Sequence, residues 1–262
     1  MDYSGSGDPQ RTIDLLWGVP QQSRRGPKPK LTVEDIATVA IRIADQDGLT
    51  GVTLRRVADE LGVTAMSLYG YVPGKAELLD LIADRAHIDY PMPEDGPAEW
   101  RPRLETIARN NWTLYLTHPW LLQIAANRPL PGPRATAKYD YELRAVDGLG
   151  LPDVDMDLIV SLVNDYVRGA ARTAVDTAAA ESETGMSDQQ WWNAFGPALA
   201  RVLDPHQFPT AVRVGATAGA EYGAAYAPTR AFEFGLHRML DGIEQFIDTV
   251  TGQANTSTSP PG

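Results

Sequence analysis

Residues 53–75, TLRRVADELGVTAMSLYGYVPGK, carry hydroxyl, basic and small side chains at spacings suited to contacting a nucleic acid. Basic groups neutralise phosphates, and hydroxyl groups donate to phosphates or to base edges. Small side chains allow a helix to lie close against the bases. The candidate nucleic-acid-contacting residues that this segment itself indicates are Thr53, Thr64, Ala65, Met66, Ser67, Tyr69 and Tyr71.

A short basic run precedes this segment. It consists of Arg24, Arg25, Lys28 and Lys30, and no acidic residue occurs between Asp14 and Glu34. Arginines in a flexible, proline-stiffened arm can enter the minor groove beside a DNA-binding domain. A solvated tail without a DNA contact is the alternative, and the sequence leaves both open.

Charge is distributed unevenly along the 262-residue chain, whose formal net charge is −11. A net negative charge by itself argues against a nucleic-acid partner. However, residues 1–75 hold 9 basic and 9 acidic side chains, whereas residues 76–262 hold 14 and 25. Because attraction to phosphates is screened within about 10 Å, an acidic body with a locally basic head remains compatible with DNA binding.

The second part of the chain concentrates aromatic side chains along a few segments. Apolar, aromatic cavities with few polar groups are typical of sites for small molecules. Core packing is the alternative for each aromatic residue, and a salt-bridged surface is the alternative for the arginines. The candidate ligand-binding residues are Trp112, Tyr115, His118, Trp120, Tyr139, Asn164, Tyr166, Arg168, Arg172, Trp191 and Phe195.

Composition and motifs argue against most enzyme and metal-site classes. The chain has no cysteine, which excludes disulfides, thiolate metal sites and a cysteine nucleophile. Its four histidines are scattered, and no phosphate-binding loop, hydrolase or metalloprotease motif occurs. We therefore predict no catalytic residue, no metal and no cofactor, with a cofactor-free enzyme left as a minor alternative. The lack of a long apolar run or a secretory signal predicts a cytoplasmic protein without membrane contact.

Apolar residues recur every three or four positions from Thr32 onward, which predicts an all-α fold. Residues 1–30 are expected to form a flexible basic arm, and residues 31–90 a helix-turn-helix DNA-binding domain whose turn contains Gly62. After a proline-rich linker, residues 98–250 are expected to form a helical effector-binding and dimerisation domain, and residues 251–262 a disordered tail. The Gly- and Ala-rich residues 204–226 are interpreted as a loop.

The last predicted helix, residues 228–250, carries apolar residues at alternating spacings of four and three, the pattern of a helix-pairing seam. We predict a homodimer through this seam, because a helix-turn-helix normally binds DNA as two copies. A core within one chain is the alternative. The predicted dimer-interface residues are Phe232, Leu236, Met239, Ile243, Phe246 and Val250.

Residues 32–87 resemble the DNA-binding domain of the TetR family of transcriptional repressors. The resemblance rests on three motifs: AIRIADQDG at 40–48, LRRVADELGV at 54–63 and SLYGYVPGKAELL at 67–79. A weaker similarity to the family's regulatory domain comes from HPWL at 118–121 and FEFGLHRMLDGI at 232–243. Family members with extended basic arms are known, among them a repressor of an antibiotic exporter.

The resemblance implies roles for particular residues. Lys75 matches a phosphate-contacting lysine, Tyr69 and Tyr71 match positions at the DNA backbone or bases, and Arg55 matches a base-reading position. Gly70 departs from the family, where a larger residue is usual, which puts one contact in doubt. The implied function is a ligand-responsive repressor that binds an operator as a dimer and is released by a small aromatic or natural-product effector. A small-molecule sequestering protein without operator-specific binding is the alternative.

Overall fold

The computed structural model describes residues 2–3, 7–19, 31–125 and 129–257, and confirms the all-α class. Two short 3-10 turns, His87–Asp89 and Pro119–Gln123, accompany the helices, and strands β1 (Asp2–Tyr3) and β2 (Ile124–Ala125) form a two-residue parallel pair. The helices are α1 (Pro9–Leu16), α2 (Val33–Gly51), α3 (Leu54–Glu60), α4 (Ala65–Leu68), α5 (Lys75–Ala86), α6 (Trp100–Thr117), α7 (Pro133–Leu143), α8 (Asp153–Thr184), α9 (Asp188–Ala200), α10 (Pro209–Tyr222) and α11 (Pro228–Ser257).

Local sequence signals explain where several helices begin and end. Thr32 caps α2 through a reciprocal pair of bonds: its hydroxyl accepts from the Asp35 amide at 3.1 Å, and the Asp35 carboxylate accepts from the Thr32 amide at 2.9 Å. The hydrogen bonds from the Thr32 side chain and main chain lower the pKa of Asp35. Gly48, at φ +69° and ψ 179°, breaks the regular helical backbone in a conformation that favours glycine.

Part of the N-terminal segment is helical, so the prediction of a flexible arm is wrong for residues 9–16. Asp8 caps α1 by accepting from the Arg11 amide at 2.9 Å, and Pro9 occupies the first helical position. Leu16 is buried, and α1 packs against α5. The basic residues Arg24, Arg25, Lys28 and Lys30 lie outside the described residues, so the groove-insertion hypothesis stays a prediction.

Two other predicted boundaries also differ. Residues 209–222 form α10 rather than part of a loop, because their alanines favour helix and Gly223 supplies a left-handed end at φ +62°. Helix α11 extends through Ser257, seven residues beyond the predicted end of the domain at 250.

The chain divides into two compact units. One comprises the described residues up to Arg168 together with those from Gly242 onward, and the other runs from Gly169 to Asp241. The predicted linker at 91–97 does not separate two cores. The buried apolar side chains of α2–α5 form one cluster with Leu114, Trp120, Leu121 and Ile124. The helices of the predicted DNA-binding domain therefore share one core with the start of the second predicted domain.

Candidate nucleic-acid interface and internal cavity

Helices α3 and α4 form the predicted helix-turn-helix. The turn passes through Gly62 at φ +67°, a left-handed conformation that favours glycine. Thr53 caps α3 and Thr64 caps α4, each hydroxyl accepting from the amide three residues on. Their packing is apolar, through the buried side chains of Leu54, Val57, Ala58, Leu68 and Val72.

The outer face of α4 presents side chains without burying them. Met66 is 79% exposed, and Ser67 and Tyr69 are exposed as well. Ala65 and Tyr71 are half-buried and pack against the core, so they help to position the helix. Gly70 has ordinary backbone geometry, and an added Cβ would meet nothing closer than the Ser67 carbonyl at 3.4 Å.

Two adjacent arginines at the start of α3 have different surroundings. Arg56 pairs with Asp47 at 2.6 Å and with Glu60 at 3.4 Å. Arg55 is exposed, and within the described part of the chain it has no hydrogen-bond or ion-pair partner. A basic side chain that is not engaged by its own protein is available to a phosphate or a base edge.

Helix α5 connects this face to the interior. Lys75, its first residue, is exposed, whereas nine of its residues are buried. Near the other end, Asp84 is buried and accepts from the Arg134 and Ala135 amides at 3.1 and 2.9 Å, capping α7. Burial raises the pKa of Asp84, against the opposing effect of those two amides and of nearby arginines.

A cavity of about 650 Å³ lies in the first unit, between α5, α6, α7 and α8. Four of the predicted ligand-binding residues line it: Tyr115, Tyr139, Asn164 and Arg168. Its other lining residues are Ala83, His87, Leu121, Ile124, Pro129, Leu130, Ala135, Lys138, Glu142, Asp157, Val160, Ser161 and Asp165.

A buried carboxylate, Glu142, organises one wall of the cavity. It accepts hydrogen bonds from Asn111 at 2.8 Å, Asn164 at 2.9 Å and Lys138 at 2.6 Å, and from the Tyr90 hydroxyl at 3.1 Å. Burial, followed by the nearby Glu142, raises the pKa of Tyr90 far above its ordinary value, so this tyrosine stays a neutral donor. The network fixes the polar groups of α6, α7 and α8 against one another.

Arg168 and Tyr139 hold two other parts of the cavity wall. Arg168 donates to the main-chain oxygens of Leu121 and Ile124, and its guanidinium lies 5.8 Å from the centre of the Tyr115 ring. The Tyr139 hydroxyl donates to Asp157 at 2.6 Å, which raises the pKa of Tyr139. The cavity therefore combines aromatic faces with polar groups already held in place.

His118 and Trp120 do not line this cavity, and their predicted ligand-binding role stays a prediction. Both are buried, and both contact Asp45 of α2: the His118 Nδ1 atom at 2.7 Å and the Trp120 indole nitrogen at 2.6 Å. The other ring nitrogen of His118 lies 3.0 Å from Asp89. These side chains attach the start of the regulatory region to the DNA-binding helices.

The remaining predicted ligand residues lie apart from the cavity lining. Trp112, Tyr166 and Arg172 are half-buried but do not contribute to it. Trp191 and Phe195 belong to the second unit, where their rings stack with centroids 4.8 Å apart.

Three polar residues of the cavity lining are not among the predicted ligand-binding residues: His87, Lys138 and Glu142. Lys138 and Glu142 do have the i, i+4 spacing of a helical ion pair, which is the one sequence signal that indicates them.

The predicted dimer seam is largely internal to the chain. Phe232, Leu236 and Ile243 are buried within one copy, which corrects their assignment to a dimer interface. Phe246 is exposed, while Met239 and Val250 are half-buried. The alternating spacing of four and three correctly indicates a buried helix face. Periodicity alone, however, cannot distinguish burial against a partner chain from burial within the same chain.

Two family models match the chain: the bacterial regulatory proteins of the tetR family over residues 36–82, and the tetracyclin repressor-like C-terminal domain over residues 92–247. The chain belongs to the TetR family of transcriptional repressors. A TetR-family relative, the HTH-type transcriptional repressor DrrR1 of Streptomyces coeruleorubidus, is 41% identical over 97% of this chain and 92% of its own length. This family is a class of regulators, not enzymes, as the sequence predicts.

Solved TetR-family structures share the fold. Apo ActR of Streptomyces coelicolor is 25% identical, with a TM-score of 0.68 over 87% of this chain and 100% of that one. ActR in complex with actinorhodin is 26% identical, with a TM-score of 0.66 over 81% and 95% of the respective chains. In the described ranges of this chain, no helix has the length and apolar character needed to cross a membrane.

Proposed function

We propose that this TetR-family repressor binds an operator as a dimer and releases it when a planar aromatic natural product occupies the cavity of the first unit, thereby controlling an efflux or biosynthesis gene. The observation that carries the proposal is that one buried helix, α5, begins at the exposed Lys75 and ends in the cavity wall. ActR, a structural neighbour, has been solved with actinorhodin, which makes actinorhodin a suitable first probe.

The mechanism is thermodynamic linkage. An effector that binds better to the conformer with displaced recognition helices weakens operator binding, and the operator weakens effector binding by the same factor. Helix α5 is the connecting element, because Ala83 lines the cavity and Asp84 caps α7, which supplies Lys138 and Tyr139 to the same cavity.

Dimerisation is assigned to an exposed apolar stripe on α8. Val154, Leu158 and Leu162, each one turn apart, are 69%, 58% and 50% exposed. Thr251 of α11 lies near the loop that precedes this helix, since a Cβ added at Gly150 would lie 3.8 Å from it. Exposed contiguous apolar surface of this kind is typical of a protein interface.

The proposal is tested by a salt titration of binding to the DNA that flanks the protein's own gene. Arg55→Ala is expected to weaken operator binding about 10- to 100-fold and to relax sequence preference, because it removes a base contact. Lys75→Ala should weaken binding to all sequences and reduce the salt slope by about 1. Arg56→Ala is the matched control, since it removes the same charge from a side chain engaged by Asp47.

Three outcomes decide the proposal. Tight, salt-sensitive and sequence-selective binding that actinorhodin or a related aromatic compound reverses would support it. Weak binding that is equal on every DNA would instead favour a sequestering protein. An equal loss for Arg55→Ala and Arg56→Ala would show that net charge, rather than a base contact, sets the affinity.

A further inference from the structure

The N-terminal part of the chain packs along helix α5. Gly7 lies against the carboxylate of Glu77, in the first turn of α5, so closely that an added Cβ would overlap it. Helix α1 follows and packs against α5, with Leu16 buried at its end. We call residues 2–3 and 7–17 the N-terminal strap.

Both ends of the N-terminal strap contact one wall of the cavity. At its start, β1 pairs in parallel with β2, which places Asp2 opposite Ile124. At its end, the indole nitrogen of Trp17 donates to the main-chain oxygen of Pro131 at 2.8 Å. We call residues 124–125 and 129–131 the wall segment. Three residues of the cavity lining belong to it: Ile124, Pro129 and Leu130.

The position of the wall segment depends on the N-terminal strap. Among the residues that the structure describes, β1 is the only strand that pairs with β2. From the other side, Arg168 donates to the main-chain oxygen of Ile124. Because strands of two residues are only marginally stable, the wall segment is less firmly placed when the N-terminal strap is not docked on it.

Two features limit how firmly the N-terminal strap is held. The Thr12 side chain is buried, and its hydroxyl oxygen has no hydrogen-bond partner among the described residues. A buried hydroxyl without a partner costs free energy, which is recovered when the hydroxyl meets water. Trp17 is 51% exposed, so its indole can leave Pro131 without uncovering a core side chain. Both features favour reversible docking.

We propose that the N-terminal strap braces the effector cavity, so that docking of the strap and binding of a ligand stabilise each other. This inference rests on the proposed function, because it takes the cavity to be the effector site. A ligand that contacts Ile124 and Leu130 binds best when the wall segment is already fixed, since less motion is then lost on binding. By reciprocity, the bound ligand stabilises the docked strap by the same factor. Trp17 is therefore a positioning residue of the cavity.

The first measurement needs no ligand. Hydrogen exchange of the full chain, followed by mass spectrometry, compares peptides that cover residues 121–125 in the wild type and its variants. Trp17→Phe keeps an aromatic ring but loses the bond to Pro131, so exchange at the β2 amides should become about three- to tenfold faster, the usual effect of one hydrogen bond. Thr12→Val keeps the shape of the side chain and removes the unpaired hydroxyl, so exchange should become slower.

The second measurement adds actinorhodin to the same proteins. Trp17→Phe should weaken its binding about three- to tenfold, and Thr12→Val should tighten it. Saturating actinorhodin should in turn slow hydrogen exchange in α1 of the wild type. Tyr226→Phe is the control, since it removes a ring donor from an exposed aromatic residue of the second unit, and it should change neither measurement.

The opposite effects of the two strap variants distinguish a brace from a general loss of folding stability. Unchanged exchange at residues 121–125 in Trp17→Phe, or equal affinity for actinorhodin in all the variants, would overturn the proposal. Failure of the proposed function has a different signature. In that case wild-type protein does not bind its operator selectively, or does not release it with actinorhodin, while actinorhodin still slows exchange in α1.

Discussion

At the scale of single residues, the environment of a side chain decides its role more than its type does. Arg55 and Arg56 are neighbours of identical chemistry, yet only Arg56 is held by acidic residues of its own domain. His87 and His118 differ in the same way. His118 lies between two aspartates, whereas His87 lies in a cavity wall beside a lysine.

The lowered pKa of His87 predicts an acid-dependent loss of stability. The ordinary value of 6.5 falls to about 4 in the folded chain, so between these values the unfolded chain binds more protons. Stability therefore decreases as pH falls from 6.5 towards 4, by at most about 3 kcal/mol. His87→Gln should lack this pH-dependent part of the free energy of unfolding. Urea denaturation of both proteins at pH 7 and at pH 4.5 would measure the difference. Parallel pH dependences of the two proteins would contradict the assignment.

At the scale of helices, a carboxylate of one element caps another. Gly132, the residue before α7, has no side chain to cap it, and Asp84 of α5 supplies the acceptor instead. A Cβ at position 132 would lie 2.0 Å from the Asp84 carboxylate, so glycine leaves the space that the cap occupies. This contact fastens a cavity-lining helix to the helix that begins at Lys75.

The capping contact of Asp84 predicts how two variants at this position rank in stability against the wild type. Asp84→Ala removes the acceptor and should destabilise the fold by about 1 kcal/mol, the usual cost of losing a helix cap. Asp84→Asn keeps an acceptor oxygen and removes a charge whose burial raises the pKa, so it should be at least as stable as wild type near pH 7. Urea denaturation gives the order, and hydrogen exchange at Arg134 and Ala135 localises it. Equal destabilisation by both substitutions would exclude the capping role.

At the scale of the whole molecule, the α8 stripe is the dimer interface that we propose. Leu158→Asp should convert the dimer to a monomer at micromolar concentration, because a charge in an apolar interface is left unpaired. Operator affinity should fall with it, since two recognition helices are needed to span successive half-sites. Light scattering measures the mass, and Val202→Asp is the control, as an exposed valine of the second unit. Dimers of unchanged stability in Leu158→Asp would place the interface elsewhere.

The sequence alone determined the family, the all-α class and many helix limits, because these depend on signals within one or two turns. The caps Thr32, Thr53 and Thr64 are examples, since each is a hydroxyl residue directly before a helix that begins with apolar residues at helical spacing. The helix-turn-helix could also be predicted from the sequence alone, since its turn, caps and apolar face all lie within about 20 consecutive residues.

Only the tertiary structure decided which of the candidate side chains share a site. His118 meets Asp45 across 73 positions of sequence, and Asn111 meets Glu142 across 31. Helical periodicity shows that a face is buried, but it does not show which surface covers it, as the buried Phe232 and Leu236 illustrate. The cavity is likewise a product of packing: four helices leave a space between them, and the polar groups that face it are set by distances the linear sequence does not contain.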